Sequence, residues 1–230
     1  MEQQLTYRPG DWVVYKNNQL IAFNKPPALP VQADKTGHVC LLDLAQSYCQ
    51  HPLLLIHRLD RPASGVVLFA KKTRALVQLN EQFQQRRVAK RYLAVVAQLP
   101  EPPEGELRHW LKRDGRLNKS FVVPEGTKGA KEAVLYYRHV CSSDRYHLLD
   151  IELITGRHHQ IRAQLAAIGA PVKGDVKYGF RRGNRDRSIH LHAYQLAFDH
   201  PVTGEWQMVR APVPSDPLWQ FFAERLNEGM

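Results

Sequence analysis

The nine residues His57–Gly65, HRLDRPASG, run directly into the apolar stretch Val66–Ala70, VVLFA. A short apolar run bounded by a Ser-Gly pair reads as a buried strand. The preceding segment is therefore a loop fastened to a core strand, where rigid elements usually hold reactive side chains. That loop carries one histidine, two arginines and a single carboxylate, Asp60. Ser64 and Gly65 are small enough for another backbone, or a ligand, to approach closely. On local spacing alone, an aspartate between two arginines reads more readily as a salt-bridged loop residue. Its partners elsewhere in the chain must decide.

Upstream, Trp12–Tyr15 and Leu20–Phe23 flank Asn17-Asn18 and predict strand, turn and strand. KPPALP (Lys25–Pro30) breaks regular structure. Within Val39–Cys49, Leu41, Leu44, Ala45 and Tyr48 share one helical face, and Pro52 ends that helix. Downstream, Thr73 is placed to cap a helix whose inner stripe is Leu76, Leu79 and Phe83. KRYLAVVA (Lys90–Ala97) predicts another strand. PEPPEGE (Pro100–Glu106) reads as a loop, and the polar, basic stretch Leu111–Lys131 as an exposed excursion. Val134–Val140 and Tyr146–Ile154 predict a strand pair turning at Ser142-Ser143-Asp144. A helix after Gly156 carries Ile161, Leu165 and Ile168 on one face, with Gly169 as its stop. His190–Phe198 and Glu205–Arg210 predict a hairpin across HPVTG. Ser215 and Pro217 open a last helix with Leu218, Phe222 and Leu226. The mixture predicts an α+β fold with many antiparallel neighbours and no repeated βαβ rhythm.

The chain has 230 residues, of which 43% are hydrophobic, so a folded core is expected, in one large domain or two small ones. Its formal charge of +10 comes from 32 basic and 22 acidic residues and favours a polyanionic partner. Cysteines at 40, 49 and 141 are odd in number and lack CxxC spacing, which excludes a disulfide framework or zinc ribbon and fits a reducing compartment. The start, MEQQLTYRPGDW, has no signal-peptide pattern, and no apolar stretch approaches a membrane span, so a cytoplasmic location is expected. His190 and His192 alternate toward one face of a strand, but no third ligand stands at a recognisable spacing and no metal is expected. Phosphate loops, dinucleotide fingerprints and GxSxG elbows are absent.

Two further segments concentrate chemistry. Lys90-Arg91-Tyr92 sets a tyrosine between cations and chain, suited to stacking on a base; a half-buried strand tyrosine is the plainer reading. In TGRHHQIRAQLAAIGAPVKGDVKYG (Thr155–Gly179), Arg162 lies at the margin of the apolar stripe. A cation there needs an anion, and Asp60 is the attractive candidate; an arginine whose stem covers apolar surface is equally compatible. Lys173, Lys177, Arg181, Arg182, Arg185 and Arg187 then fall within fifteen positions, with Tyr178 and Phe180 between them. Cations interleaved with aromatics suit phosphates and bases respectively.

Taken together these segments resemble the RluA-type RNA pseudouridine synthases. HRLDRPASG is similar to that family's HRLDxxTSG motif. Thr155–Gly179 resembles TGRxHQIRxHxxxxGxPIxGDxxYG, LIAFNKPPALPVQ resembles its KPxGLxVH segment, and LHAYQLAFDHPVTGE its LHAxxLxFxHPxTGE close. All four occur in family order, from about Leu20 to Pro212. The resemblance implies the pseudouridine synthase fold, a mixed and largely antiparallel sheet flanked by helices. It implies isomerisation of a uridine in structured RNA, tRNA or rRNA, with no cofactor and no metal. Asp60 is then the nucleophile, Tyr92 packs on the target uracil, and Arg162 pairs with the carboxylate. Arg58 fills the space left by the flipped nucleotide, and Leu191 lies against the base. Arg58, Arg61, Lys90, Arg157, His158 and the basic tract from Lys173 to Arg187 are the expected RNA contacts. Ala63 stands where the family usually has threonine, Gln164 and Gln32 where histidine is common, and Ala28 where glycine is common. With Ala63, the loop has one hydroxyl fewer and needs support from elsewhere. The resemblance leads us to expect a single catalytic domain over 1–230 with no S4 RNA-binding domain before it, and a monomer. Two rival readings stay open: a non-catalytic RNA binder or chaperone on the same fold, and a nucleoside-cleaving hydrolase.

Overall fold

A computed structural model describes residues 7–33, 37 and 39–228. Residues 1–6, the start of the segment expected to lack a signal peptide, lie outside the described residues. The described residues form one sheet of eleven strands: β1 (Val13–Lys16), β2 (Leu20–Lys25), β3 (Leu54–Leu55), β4 (Ser64–Ala70), β5 (Ala89–Val96), β6 (Glu104–Asp114), β7 (Lys119–Val123), β8 (Lys131–Ser142), β9 (His147–Leu153), β10 (Leu191–Asp199) and β11 (Trp206–Arg210). Four α-helices accompany it among the described residues: α1 (Leu41–Cys49), α2 (Thr73–Gln84), α3 (Gln160–Ala167) and α4 (Pro217–Glu228). Strands β1-β2-β4-β10-β5-β9-β8-β6-β7 are neighbours in that order, with β3 beside β4 and β11 beside β10. Among the described residues only the β4–β10 pairing is parallel, so the α+β, largely antiparallel expectation holds.

That one parallel pairing positions the site. Ser64 and Gly65, at the start of β4, lie against His192 and Ala193 of β10. The other side of β10 pairs with β5, His192 opposite Leu93. The loop carrying Asp60 thus ends two strands from Tyr92. Gly65 explains the small pair in HRLDRPASG. Its φ is +116°, and a Cβ there would sit 2.2 Å from the Ala193 carbonyl oxygen. The close approach is made by another backbone, and only glycine tolerates it.

Strand alternation sorts the faces of β5. Tyr92, Ala94 and Val96 pack on the side that receives Ile161 and Leu165 of α3. Leu93 and Val95 pack on the other side under Trp219 and Phe222 of α4. Burial of α3 is nearly complete: every residue from Gln160 to Leu165 is buried. Arg162 therefore lies inside the protein and not at the margin of a stripe.

Three local expectations need correction. Thr73 does not cap α2; the cap position is Lys72, without a side-chain cap bond, and Thr73 is the first helical residue. The loop at Pro100–Glu106 ends earlier, because β6 starts at Glu104. The excursion at Leu111–Lys131 is mostly a hairpin of β6 and β7, with Leu111 and Ser120 buried beside α3. Its polar composition reflects one outward-facing side, while Leu107 and Leu111 supply the inward one. Among the described residues no helix is long and apolar enough to cross a membrane, and no cluster of metal-ligating side chains is present. His190 and His192 do share a face, both against Trp219. Their ring nitrogens meet Asn184, Asp216, Ser64 and the Ala211 carbonyl instead.

Candidate active site

A cleft of about 610 Å³ opens where the Asp60 loop, β5, the N-terminal end of α3 and the tip of the β6–β7 hairpin converge. Its volume lies within the range for pockets that hold one small organic group. At its floor Arg162 Nη1 donates to Asp60 Oδ2 at 2.9 Å. Arg162 is 4% exposed, while the Asp60 side chain keeps 24% of its surface open. Burial works against the Arg162 cation, but hydrogen bonds to Asp175 and the charges of Asp60 and Asp175 outweigh it and raise its pKa.

The loop that carries Asp60 is held by backbone and by one buried cation. Ala63 N–H donates to Asp60 O at 3.1 Å, and Ile189 N–H donates to Pro62 O at 3.1 Å. Lys25 Nζ donates to the carbonyls of Pro26, Leu29 and Arg61. Arg61 Nε returns a bond to Ala28 O at 3.0 Å. These contacts supply the support that a threonine in place of Ala63 would otherwise share. Full burial, set partly against the Asp60 charge, brings the Lys25 pKa down to about 7. Ala28 has φ +64°, which explains why glycine suits that position.

Tyr92 lines the cleft from β5, half-buried. Burial, together with the Asp60 charge, raises its pKa well above the usual phenol range, so the hydroxyl stays protonated at neutral pH. Leu191 lines the same cleft, with Leu153 and Ile161 beside it. Arg58, Arg61, Lys90, Arg157 and His158 also line it. Lys90 has its pKa lowered to about 8 by burial and by the nearby Arg86 and Arg157 charges. His57, from the same motif, is not poised for reaction. Its Nε2 accepts the Leu68 N–H at 3.1 Å and its ring stacks on Phe83.

The tract from Lys173 to Arg187 stands apart from the cleft lining. Lys173 binds Asn184 Oδ1, and Lys177 binds the carbonyls of Leu117 and Asn118 at the hairpin tip. Arg181, Arg182, Arg185 and Arg187 are exposed. Tyr178 does not offer a stacking face in this tract. It is buried, and its hydroxyl bonds Ser120 O and N–H and approaches His159 Nδ1 at 3.0 Å.

Sequence reasoning missed several residues here. Asp175 binds Arg162 by two hydrogen bonds of 2.6 and 2.9 Å. Its signal was its place in the GDVKYG segment that the resemblance already covered. His159 Nε2 lies 3.8 Å from Asp60 Oδ2. Burial, with the Arg162 charge adding to it and Asp60 opposing, brings the His159 pKa down to about 3, so this approach is not an ion pair at neutral pH. Its ring stacks on His158 at 3.8 Å. Arg113 and Asn118 reach the cleft from the hairpin. The alternation of Leu107, His109, Leu111 and Arg113 was the readable sign of that strand.

An α+β sheet with a cation-rimmed cleft and a carboxylate at its floor defines a protein built to bring an anionic ligand to an acid group. Comparison with known proteins makes this specific. The model of the RNA pseudouridylate synthase family matches residues 19–167. A tRNA pseudouridine synthase C of Haemophilus ducreyi is 32% identical over 231 residues, covering 90% of this chain and 92% of that protein. An RNA pseudouridine synthase of Mycoplasma pneumoniae is 34% identical over 195 residues, covering 83% of this chain. The chain spans 62% of that relative's length. The solved structure of human RNA Pseudouridylate Synthase Domain Containing 4 superposes with a TM-score of 0.77 at 25% identity, covering 95% of this chain and 94% of that one. The chain belongs to the RNA pseudouridylate synthase family.

Proposed function

We propose that this protein is an RNA pseudouridine synthase that isomerises a uridine in a tRNA or rRNA, with Asp60 as the reacting carboxylate. The observation that carries the reading is the buried Arg162 guanidinium bonded to Asp60 at the floor of the cleft. The bond from a guanidinium that Asp175 also holds fixes the direction of the carboxylate. In the overall reaction the N1–C1′ bond breaks, the uracil turns, and a C5–C1′ bond forms. The C5 hydrogen leaves as a proton and N1 gains one, so atoms and electrons balance without a redox partner. Attack at C1′, addition to C6 and deprotonation at C2′ all begin from an ionised Asp60. Tyr92, as a protonated phenol, holds the detached uracil and donates to it. Leu191, Leu153 and Ile161 supply apolar contact for a base taken out of its stack. Arg58, Arg61, Lys90, Arg157 and His158 meet the RNA backbone, and Arg58 occupies the place of the extruded nucleotide. The exposed arginines from Arg181 to Arg187 extend the electrostatic footprint beyond the cleft. Names of relatives that act on tRNA support this substrate class.

The test compares wild type with Asp60→Asn on RNA from cells lacking the protein. Pseudouridine formation should vanish while RNA binding persists. Turnover at the wild-type rate in the variant would remove Asp60 from the mechanism. Free uracil among the products would instead favour a hydrolase.

A further inference from the structure

We infer that Asp175 is a positioning residue, which aims one N–H of Arg162 at Asp60 and keeps that cation paired when Asp60 loses its charge. The inference rests on the reading of Asp60 as the reacting carboxylate. Arg162 Nε donates to Asp175 Oδ2 at 2.6 Å and Nη2 donates to Oδ1 at 2.9 Å. Two parallel bonds to a planar guanidinium fix both its plane and its rotation within that plane. The direction of Nη1, which reaches Asp60 at 2.9 Å, follows from them. Asp175 is itself immobilised. It is 1% exposed, its N–H donates to Val172 O, and its carbonyl accepts from Tyr178 and Phe180 N–H. The Tyr178 ring lies 5.0 Å from the Arg162 guanidinium and confines it further.

Charge makes the second half of the argument. As nucleophile or base, Asp60 forms a bond to carbon or to a proton and becomes neutral. If Asp60 were the sole partner, a guanidinium that is 4% exposed would then be a buried cation without a counter-charge. With Asp175 present, the three groups carry one net negative charge before that step and none after it. The step therefore never leaves Arg162 unpaired.

Asp175→Asn keeps the shape and removes the charge. The experiment measures single-turnover pseudouridine formation on RNA from cells lacking the protein, RNA affinity, and thermal melting. The rate should fall by ~10–100-fold, the usual range for groups that orient a site through another residue. RNA affinity should stay within about 2-fold. Because Asp175 acts through Arg162, Asp175→Asn combined with Arg162→Met should be no slower than Arg162→Met alone. A folded Asp175→Asn protein at the wild-type rate, or losses that multiply in the double variant, would overturn the inference. If Asp175→Asn does not fold, Asp175→Glu keeps the charge and displaces the carboxylate by one methylene. Its rate should fall with affinity retained, and a wild-type rate would again overturn the inference. Asp60→Asn is measured alongside. Its retained turnover would sink the underlying reading, and this inference with it. An inactive Asp60→Asn beside a fully active Asp175→Asn would sink this inference alone.

Discussion

Asp60 and Asp150 are each bonded by an arginine, on opposite faces of the same sheet, and the two acids are engaged differently. Asp150 on β9 is 8% exposed. Arg91 reaches both of its oxygens, the Tyr194 hydroxyl donates to Oδ1, and Arg138 stands 3.8 Å from Oδ2. Asp60 is more open, and among the described residues both of its close approaches fall on Oδ2. Asp150 spends its acceptor capacity on structure. Among the described residues Asp60 engages Oδ2 in these contacts, which suits the role proposed for it. Neighbouring residues on β5 serve the two: Arg91 binds Asp150, and Tyr92 lines the cleft of Asp60. An ion pair alone does not mark a reactive acid.

The sharpest way to break this contrast is to neutralise each acid. Asp60→Asn should lose pseudouridine formation with little change in melting temperature. Asp150→Asn should keep activity and lose about 1–2 kcal/mol in denaturant titration, less than for a fully buried pair because Arg91 is half-exposed. Activity loss in Asp150→Asn at unchanged stability would dissolve the distinction.

Gly65→Ala tests whether the Asp60 loop depends on the β4–β10 approach. A methyl group 2.2 Å from Ala193 O at φ +116° must displace β10 or the loop. A loss of at least about 3 kcal/mol is expected, with activity falling further than stability explains. A variant as stable and active as wild type would mean the two strands separate freely.

Acidification should weaken both faces together. Burial, aided by the Lys90 charge, brings the pKa of His57 down to about 4. Burial, with smaller contributions from neighbours, brings those of His190 and His192 to about 4. His159 in the cleft lies at about 3. Each is neutral when folded and takes up a proton near pH 6.5 when unfolded, so the unfolded state binds more protons between those values. Stability is therefore present above pH ~6.5 and falls as pH drops toward 4. Melting temperature should already decline between pH 6.5 and 5, above the main carboxylate range. A flat profile there would show that these histidines are not held neutral.

The smallest expected effect is a gain. Ala28→Gly relieves a left-handed backbone at the carbonyl that holds Arg61, worth about 0.5–1 kcal/mol in thermal melting. A loss instead would mean the added chain freedom outweighs the relieved strain.

Much of this molecule was readable in short segments. The apolar run Val66–Ala70, the alternation of Lys90–Ala97 and the periodicity after Gly156 named their elements, because alternation and helical period are local properties. Four ordered motifs carried the family and put Asp60, Arg162 and Leu191 on one short roster, and the same resemblance matched Tyr92 in KRYLAVVA. Other features resisted local reading. The β6–β7 hairpin looked like an excursion because its outward side is polar. Tyr178 looked like a stacking aromatic because burial by a distant strand cannot be seen from its neighbours in sequence.

The residue pattern by itself determined the family and the α+β class, and it singled out Asp60 as the candidate carboxylate. To the Arg162 partner that the resemblance implied, tertiary structure alone added His159 beside Asp60 and Asp175 behind Arg162. Arg162 is 102 positions from Asp60 and sits 13 from Asp175. The parallel approach of β4 to β10 at Gly65 and the burial of α3 bring these groups together. Such contacts arise from packing across the sheet, and a linear pattern does not record which oxygen of an aspartate they engage.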